Sequence, residues 1–416
     1  MGLRSMRTEQ VGRQRRRGRR WLILIGAVVV VVAAALVVVS QKPSIAAYGA
    51  DFLRGVIGDK AVSSLETALF DFEDAVQGWE YRLGLVTPAA PWSEPTGIAL
   101  AAASTSTLPP QPSAAATSAA RLPTSTPVVP LATPTPSVWH PAPLVPMGTL
   151  AGEGLWSPFI QDNSGRTVGY RTYLQPDKER PLVLVDVVAF DLTRTRLHLV
   201  LGTVEPYSPN SPKRSGLIPD SDRAPGVLLA MFNGGFKAVH GHFGAMADGI
   251  VALPPRSGLG TVAIYSDGSV KMGSWGTEIT PSQDMIAYRQ NGPLMIDQGV
   301  INPDVNNYSP ADWGYTIKSV TPTLRSGLGL SADGKTLYYA CGPFISVETL
   351  ALAMQRAGAV EAMQLDINWY WVLFAAVRTN AGKMTLEALD PKNMKEDLNR
   401  YLWAYTRDYF YVTGMP

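Results

Sequence analysis

Two charged residues within residues 321–371 have side chains suited to binding or hydrolytic chemistry. Asp366 follows a mostly apolar run, and a carboxylate at the end of a strand can act as a general base or as a nucleophile. Arg325 carries a guanidinium, whose planar fork matches carboxylate and phosphate groups. Considered one at a time, a loop cap for Asp366 and a surface salt bridge for Arg325 are the simpler interpretations. The choice therefore depends on the elements that position them.

Turn and capping residues mark the elements around these two side chains. Asp333-Gly334 lies between two β-rich runs and predicts a hairpin, because glycine tolerates the positive φ of such turns. Ser346 predicts the start of a helix, and Gly358 predicts its end in the left-handed conformation. The apolar run that follows predicts a strand that brings Asp366 out at its carboxyl end.

A second segment with chemical potential is Asn233-Gly234-Gly235-Phe236, which follows the apolar run 227–232. Paired glycines let the backbone turn sharply and approach a ligand without interference from Cβ. As a bare motif, the same segment also fits a simple turn after a strand.

Metal and thiol chemistry are not predicted. His240 and His242 form an H-x-H pair that would share one face of a strand, but no neighbouring cysteine or second pair completes a zinc site. We expect the two histidines to line a cleft beside Phe236 or to lie in a loop. Cys341 is the single cysteine and lies in an apolar strand, which is typical of a buried structural residue.

Residues 147–416 predict one globular domain of the α+β class, with a mixed β-sheet core and few helices. Strands are expected at 182–192, 197–204 and 227–232, with hairpins at 261–272, around Asp267-Gly268, and at 293–301, around Asp297-Gln298-Gly299.

The C-terminal region predicts a helix followed by a strand. Asp390 would cap this helix with Pro391 in its first turn, and Met394 and Leu398 lie on its apolar side. The closing strand is expected at 409–412. We expect the aromatic residues of this region to fill the core, with a sugar-stacking platform as the alternative.

The N-terminal region divides into a basic tail and an uncharged run. Residues 1–20 contain eight Arg and one Glu, whereas residues 21–39 contain no charge. As a helix this run would span about 28 Å, close to the ~30 Å hydrocarbon core of a bilayer. The pattern predicts a single-pass signal anchor in the cell membrane, with a cytoplasmic tail and an extracytoplasmic C-terminal domain. A cleavable signal peptide is the alternative, with a weak cleavage match at residues 45–47.

Two further segments separate this anchor from the domain. Residues 51–83 carry apolar residues at spacings of three and four and predict an amphipathic helix. This helix could dock on its own chain, pair with a second copy as a short coiled coil, or bind a partner membrane protein. Residues 88–146 contain 14 of the 33 prolines and only two charges, and they predict a disordered, semi-rigid linker.

The order of the segments NGGF, QNGPLMIDQG, LRSGLGLSADGKTLYYACG and AGAVEAMQLD resembles the phosphodiester glycosidase family over residues 186–377. The resemblance implies a carbohydrate or glycosyl phosphodiester substrate, hydrolysed at the anomeric carbon. It implies that Asp366 acts as general base or nucleophile, that Arg325 clamps the phosphate, and that Asn233 orients a hydroxyl or phosphate oxygen. The implied substrate-binding residues are Gly234, Gly235, Phe236, His242, Asn368 and Trp369.

A second carboxylate is usual in glycoside hydrolysis, and Asp248 and Asp297 are its candidates. The spacing of the residues does not select between the two.

The sequence departs from the family pattern in two places. Lys237 stands where NGGFF has its second aromatic residue. After Asp366, the family motif L-D-G-G-G-S continues with glycines, which are replaced here by Ile367, Asn368 and Trp369. Either the ligand differs, with the aromatic residues at 369–371 stacking on a sugar ring, or catalysis has been lost.

Two functions therefore remain open. One is a membrane-anchored extracytoplasmic phosphodiester glycosidase that acts on envelope glycans, and the other is a catalytically inactive relative that binds a glycan or an assembly partner. No cofactor is expected, because the sequence has neither a P-loop nor a G-x-G-x-x-G turn between a strand and a helix. Nucleic acid is not predicted as a partner, since the excess of Arg is confined to the N-terminal tail.

Overall fold

The computed structural model describes residues 49, 53, 56, 58–92, 139–307, 310–314 and 322–415. The predicted tail at 1–20 and anchor at 21–39 lie outside these residues, as does most of the predicted linker. Within the described part of the chain, no helix combines the length and the apolar character needed to cross a membrane.

Eighteen strands make up most of the described domain. The strands, in chain order, are β1 (Ser157–Gln161), β2 (Thr167–Leu174), β3 (Val185–Asp191), β4 (Thr195–Val200), β5 (Leu228–Asn233), β6 (Ala245–Ala247), β7 (Ile250–Leu253), β8 (Gly260–Tyr265), β9 (Val270–Ser274), β10 (Met285–Gln290), β11 (Leu294–Asp297), β12 (Val300–Ile301), β13 (Thr323–Leu330), β14 (Thr336–Ile345), β15 (Glu361–Ile367), β16 (Phe374–Asn380), β17 (Lys383–Ala388) and β18 (Tyr409–Gly414). The domain is therefore mostly β-sheet, rather than the α+β class that the sequence predicts, and the prediction of few helices is confirmed.

Helices are few in the described residues. The α-helices are α1 (Asp59–Arg82), α2 (Pro310–Trp313) and α3 (Val347–Ala357), and the 3-10 helices are η1 (Ala238–His240), η2 (Pro303–Asn306) and η3 (Leu398–Leu402). Helix α1 falls within the predicted amphipathic segment 51–83, which confirms its helical structure.

The strands form three sheets. Sheet I has eight strands in the order β1-β2-β3-β14-β13-β15-β11-β12, sheet II has the order β17-β16-β5-β18-β4, and sheet III has the order β7-β6-β10-β8-β9. The strand pairs in all three are antiparallel, so the prediction of a mixed sheet is wrong for the described residues. The physical reason lies at α3, which connects β14 to β15. These two strands run in the same direction, but β13 lies between them and pairs antiparallel with both.

Local sequence chemistry sets the ends of α3. The Ser346 hydroxyl accepts a hydrogen bond from the Thr349 N–H, and Gly358 adopts a left-handed φ of 108° after the last turn. Both capping predictions are confirmed. The apolar side of α3 packs on one face of sheet I together with Trp313 of α2.

A larger core lies between sheet I and sheet II. Phe232 on β5 stacks on Phe374 of β16 with ring centroids 5.9 Å apart, and it also contacts Phe410 of β18 and Tyr339 of β14. These rings fix the position of β5 relative to β18. As a consequence, the carboxyl end of β5 and the start of β18 meet, because Asn233 is paired with Tyr409.

The predicted C-terminal α-helix is not formed. The Asp390 carboxylate accepts hydrogen bonds from the N–H groups of Lys392 and Asn393, so the predicted cap exists, but it closes only a turn. The following residues form η3, whose Arg400 donates a hydrogen bond to the Tyr370 carbonyl. Contacts with the 370–374 segment thus hold this region in short turns, and the predicted closing strand is present as β18.

Both ends of the predicted linker that the structure describes contact the domain. Trp92 is buried beside Tyr173, with ring centroids 5.6 Å apart, and the Arg171 guanidinium lies 4.4 Å from its ring. Trp139 contacts Tyr170 at the other end.

Candidate active site

Asp366 lies near the end of β15 in a nearly closed environment, with 5% of its surface exposed. Its Oδ1 accepts a hydrogen bond of 2.8 Å from the Ile367 N–H, and its Oδ2 forms an ion pair with Arg407 Nη2. Burial raises the pKa of Asp366 to about 6, against the opposing effect of the positive charges on Arg407 and Lys237. Asp366 is therefore a carboxyl group that titrates close to neutral pH.

A second, fully buried ion pair lies next to Asp366. Arg289 on β10 binds Asp408 through two hydrogen bonds, Nε to Oδ2 at 2.8 Å and Nη2 to Oδ1 at 3.2 Å. The negative charge of Asp408 contributes to the raised pKa of Asp366. Because a buried charge is costly unless it is paired, this fork-shaped contact is best understood as a structural part of the site.

The segment 233–236 wraps around the Asp408 carboxylate. The Gly235 N–H donates a hydrogen bond of 3.1 Å to Asp408 Oδ2. A Cβ atom at Gly234 would lie 2.0 Å from the same oxygen, so only glycine fits there. The two glycines therefore allow a close approach to a carboxylate of the chain itself, whereas the sequence suggested an approach to a ligand.

The carbonyl groups of the same segment bind the arginines. Arg289 Nη2 donates to the Phe236 carbonyl at 2.7 Å, and Arg407 Nη2 donates to the Gly235 carbonyl at 2.8 Å. The segment thus links the Arg289–Asp408 pair to the guanidinium that binds Asp366.

Asn233 and Asp366 are brought together through Ser326 on β13. The Asn233 side-chain amide donates to Ser326 Oγ at 2.9 Å, and this hydroxyl donates to the Asp366 main-chain carbonyl at 2.9 Å. The side-chain oxygen of Asn233 accepts hydrogen bonds from the Tyr339 hydroxyl and the Leu373 N–H. Asn233 therefore positions the backbone around the site.

Arg325 does not join this group, although the sequence placed it there. Its side chain is fully buried, and it donates to the carbonyls of Ile345 and Trp313 and to Gln364 Oε1, at 3.0 to 3.1 Å. Burial lowers the pKa of Arg325 to about 9. These bonds fix Arg325 beneath α3, and the arginine beside Asp366 is Arg407.

The loop after Asp366 keeps one glycine-like conformation. Asn368 has a φ of 90°, a region that glycine adopts freely and other residues rarely adopt. The Asn368 side chain stabilises this turn by accepting a hydrogen bond from the Tyr370 N–H at 3.1 Å. One position of the family's glycine-rich turn is therefore filled by a residue type that tolerates left-handed conformations comparatively well.

Trp371, rather than Trp369, is the aromatic ring at the site. The Arg407 guanidinium lies 4.3 Å from the centroid of the Trp371 ring, and the Lys237 ammonium lies 5.1 Å from it. Trp369 instead packs edge-on against Phe344 and the main core. Lys237 thus occupies the position of the family's second aromatic residue and contacts an aromatic ring supplied from the loop.

The two remaining predicted binding residues are Phe236 and His242. Phe236 is buried against Phe243 and His240, and His242 is exposed with a positive φ of 49°. No group of three or more His, Cys, Asp or Glu side chains that could hold a metal ion occurs in the described residues. Cys341 is buried, as predicted.

Neither predicted second carboxylate lies beside Asp366. Asp297 interacts with Glu361 at the start of β15, about 16 Å along the strand from Asp366 at ~3.3 Å per residue. Asp248 lines a cavity of about 430 Å³ between sheets II and III, together with His198 and Tyr411. This cavity does not include the residues around Asp366.

Glu205 is, with Asp408, a carboxylate near the site that the sequence did not single out. Its Oε2 accepts a hydrogen bond of 3.0 Å from the Ala238 N–H. The charges of Asp366 and Asp408 raise the pKa of Arg407, and the charge of Glu205 adds to their effect. Glu205 is partly exposed, unlike Asp408.

Sequence comparison supports the resemblance described above. Residues 228–366 match the model of the phosphodiester glycosidase family, and the predicted resemblance is confirmed. The matched segment begins at β5 and ends at Asp366, so Arg407 and Asp408 lie beyond it. No curated protein sequence matches the chain.

Two solved structures are similar at low sequence identity. One is the catalytic domain of zebrafish N-acetylglucosamine-1-phosphodiester alpha-N-acetylglucosaminidase, auto-inhibited by its pro-peptide. It is 12% identical in sequence, and the match covers 62% of this chain and 86% of that one with a TM-score of 0.39. A hypothetical protein from Synechocystis is also 12% identical, with 62% of each chain covered and a TM-score of 0.29.

Proposed function

We propose that the β-sheet domain hydrolyses a glycosyl phosphodiester, with Asp366 as the carboxyl group that acts at the anomeric carbon. The observation that carries this proposal is the buried Asp366 carboxylate near the end of β15, which pairs with Arg407 and accepts the Ile367 N–H. Burial raises its pKa to about 6, against the opposing charges of Arg407 and Lys237. A carboxyl group that titrates near neutral pH is suited to general acid–base catalysis. The family match over residues 228–366 supports the reaction class.

In this proposal Arg407 takes the phosphate-binding role that the family resemblance implies for Arg325. The guanidinium of Arg325 is committed to carbonyl and amide oxygens, whereas Arg407 already binds an anionic oxygen, that of Asp366. A phosphate oxygen can replace the carboxylate on the same fork of N–H donors. This exchange would release Asp366 to activate water or to attack carbon, while Lys237 adds a second positive charge.

Trp371 is the proposed platform for the sugar ring. It is partly buried and contacts Tyr370 edge-on with ring centroids 4.4 Å apart. The Arg407 guanidinium and the Lys237 ammonium lie 4.3 Å and 5.1 Å from the centroid of its ring. An aromatic face next to cations suits a ligand that carries both an apolar ring face and a phosphate. Asn233 acts as a positioning residue in this scheme.

Glu205 is the proposed second carboxylate, because it is partly exposed and electrostatically coupled to Arg407. Asp408 is excluded from this role by its complete burial and its two hydrogen bonds to Arg289. Asp366 and Glu205 would then serve as the pair of carboxylates that glycoside hydrolysis usually requires.

The test is sugar release by the full-length chain from a panel of glycosyl-1-phosphodiesters that differ in the sugar. Both products, the free sugar and the phosphomonoester, should appear in equal amounts. We expect Arg407→Met to lose at least about 100-fold in kcat/KM, because it removes the main charge that would face the phosphate. Arg166→Met, which removes an exposed arginine of a surface ion pair, is the matched control and should retain full activity.

A second function is supported by the ion pair between Arg407 and Asp366 and by the bulky loop at 367–371. In this alternative the site binds a phosphorylated glycan without cleaving it. Calorimetric binding that requires Arg407, together with no release of sugar from any member of the panel, would establish this alternative.

We also propose that residues 21–39 anchor the chain in the cell membrane and that the β-sheet domain acts on envelope glycans outside the cytoplasm. The uncharged run behind a strongly basic tail supports this location. Protease treatment of intact cells should degrade the domain and leave a short membrane-bound fragment. Full protection of the domain in intact cells, with degradation after lysis, would contradict this location.

A further inference from the structure

Helix α1 exposes apolar side chains along its C-terminal half. Phe72 is 63% exposed, Val76 39% and Trp79 68%, and Leu83 at the helix end is 65% exposed. An amphipathic helix that docks on its own chain buries such a stripe. These four residues, called the α1 stripe below, are therefore left for a partner.

The opposite side of α1 contacts the domain. Asp74 forms an ion pair of 2.9 Å with Arg180, and Arg180 also binds the Phe344 carbonyl next to the β-sheets. Thr67, one heptad before Asp74 on the same side of the helix, is buried. The domain thus holds α1 by a polar side and leaves the α1 stripe facing outward.

The spacing of the apolar residues is that of a coiled coil. From Val62 to Leu83, where the helix ends, apolar residues recur alternately at three and four residues, at positions 62, 65, 69, 72, 76, 79 and 83. Such an a/d repeat is self-complementary, because each a or d side chain fits between four residues of a neighbouring helix. In this register Asp74 and Thr67 both occupy f positions, opposite the seam. Val62 is already buried, so the part of the seam that is open to a partner is the α1 stripe.

The charges beside the seam select the direction of pairing. The e positions carry Glu66, Glu73 and Glu80, and the g positions carry alanine at 61, 68 and 75. In an antiparallel pair the e positions of the two helices face each other, which would oppose glutamates along the whole contact. In a parallel pair each e position faces a g position, so glutamate meets alanine and no like charges meet.

The same charges argue against a lipid surface as the partner. Residues 59–82 contain six acidic and two basic residues. Interfacial helices carry Lys and Arg on the polar side and bind anionic lipids, which an acidic helix would repel.

We propose that α1 pairs with α1 of a second copy of this chain as a parallel two-stranded coiled coil through the α1 stripe. In such a pair each β-sheet domain would lie on the side of its own helix that faces away from the seam. The proposal does not depend on the activity of the Asp366 site.

Cysteine cross-linking in the full-length chain tests the direction of pairing. Val76→Cys places a thiol at an a position, where a parallel pair brings the two Cα atoms within the ~7 Å that a disulfide requires. In an antiparallel pair centred on α1 the same atoms would be about 16 Å apart, at ~1.5 Å per residue. Asp71→Cys, exposed at a c position, is the matched control, and Cys341 is buried in both variants. We expect rapid dimer formation for Val76→Cys and none for Asp71→Cys.

The mass of the full-length protein in detergent provides the second measurement. Light scattering corrected for bound detergent should give twice the chain mass of 44.8 kDa for the wild type and the single chain mass for Trp79→Glu. Because Trp79 is exposed, this substitution leaves the fold of the domain intact. A monomeric wild type would overturn the proposal, even if α1 captures another protein. A dimer that persists in Trp79→Glu, with no disulfide in Val76→Cys, would also overturn it.

Discussion

The raised pKa of Asp366 predicts how activity depends on pH. If Asp366 must be ionised to act as base or nucleophile, kcat/KM rises with pH around a midpoint near 6. The ionised fraction then rises from about 10% at pH 5 to about 90% at pH 7. The displacement from the ordinary value of 3.8 is about two pH units, which corresponds to about 3 kcal/mol of destabilisation of the carboxylate.

Lys237→Met is the perturbation that tests the cause of this midpoint. The Lys237 charge lowers the pKa of Asp366 and partly offsets burial, so its removal should move the midpoint to higher pH. We expect a shift of about 0.5 to 1 pH unit, since a partly screened charge near a buried site contributes about 0.7 to 1.4 kcal/mol. The control is Lys335→Met, an exposed lysine in the β13–β14 turn, which should leave the midpoint unchanged.

The assay is kcat/KM for a glycosyl-1-phosphodiester between pH 4.5 and 8.5 at constant ionic strength. An unchanged midpoint in Lys237→Met, or a shift to lower pH, would refute the assignment of this midpoint to Asp366. A similar shift in Lys335→Met would show that the effect is not local to the site.

Four further predictions concern stability. Burial raises the pKa of Asp366 in the folded state, so this group reduces folding stability as pH rises from about 4 to about 6. Between pH 4 and pH 7, the unfolding free energy of the wild type in urea should therefore fall by up to about 3 kcal/mol more than that of Asp366→Asn. Equal losses in both proteins would contradict this. Gly234→Ala should lower the unfolding free energy by at least about 3 kcal/mol, because its Cβ would meet a buried carboxylate oxygen at 2.0 Å. The control Gly414→Ala, whose Cβ has its nearest contact at 3.6 Å, should lower it by less than about 1 kcal/mol. Arg289→Met should cost about 3 to 5 kcal/mol in urea unfolding, since it leaves its carboxylate partner buried without this arginine, and a loss below about 1 kcal/mol would contradict the structural role of the pair. Asn368→Gly should keep the thermal unfolding midpoint within about 2 °C of the wild type, whereas Asn368→Val should lower it clearly, because a φ of 90° suits glycine and not a β-branched residue. Similar midpoints for the glycine and valine variants would disprove strain at this turn.

Local sequence signals predicted those parts of the fold that short-range chemistry determines. The hairpin at Asp333-Gly334 and the helix between Ser346 and Gly358 were predicted because turn and capping residues act on their immediate neighbours. The pairing of β15 with β13 was not predicted. This pairing depends on how α3 packs on the sheet, because the packing of α3 sets where β15 begins, and the residues of the helix do not specify which strand β15 pairs with.

The site was predicted in part for the same reason. Asp366 and Asn233 were identified because each directly follows an apolar strand. Arg407 and Asp408 were missed because they lie in a run of aromatic residues that resembles core, and only the insertion of β18 beside β5 brings them to the site. Arg325 was misplaced because the sequence does not show which of two neighbouring residues faces Asp366, and the structure places Ser326 there.

The most direct test of the central claim compares two carboxamide variants of the full-length chain. Asp366→Asn removes the carboxylate at the proposed site, and Asp297→Asn removes a carboxylate near the other end of the same strand. With the best glycosyl-1-phosphodiester, we expect Asp366→Asn to lose at least about 1000-fold in kcat and Asp297→Asn to stay within about threefold of wild type. Equal activity in Asp366→Asn and wild type would contradict the proposal that Asp366 carries the chemistry.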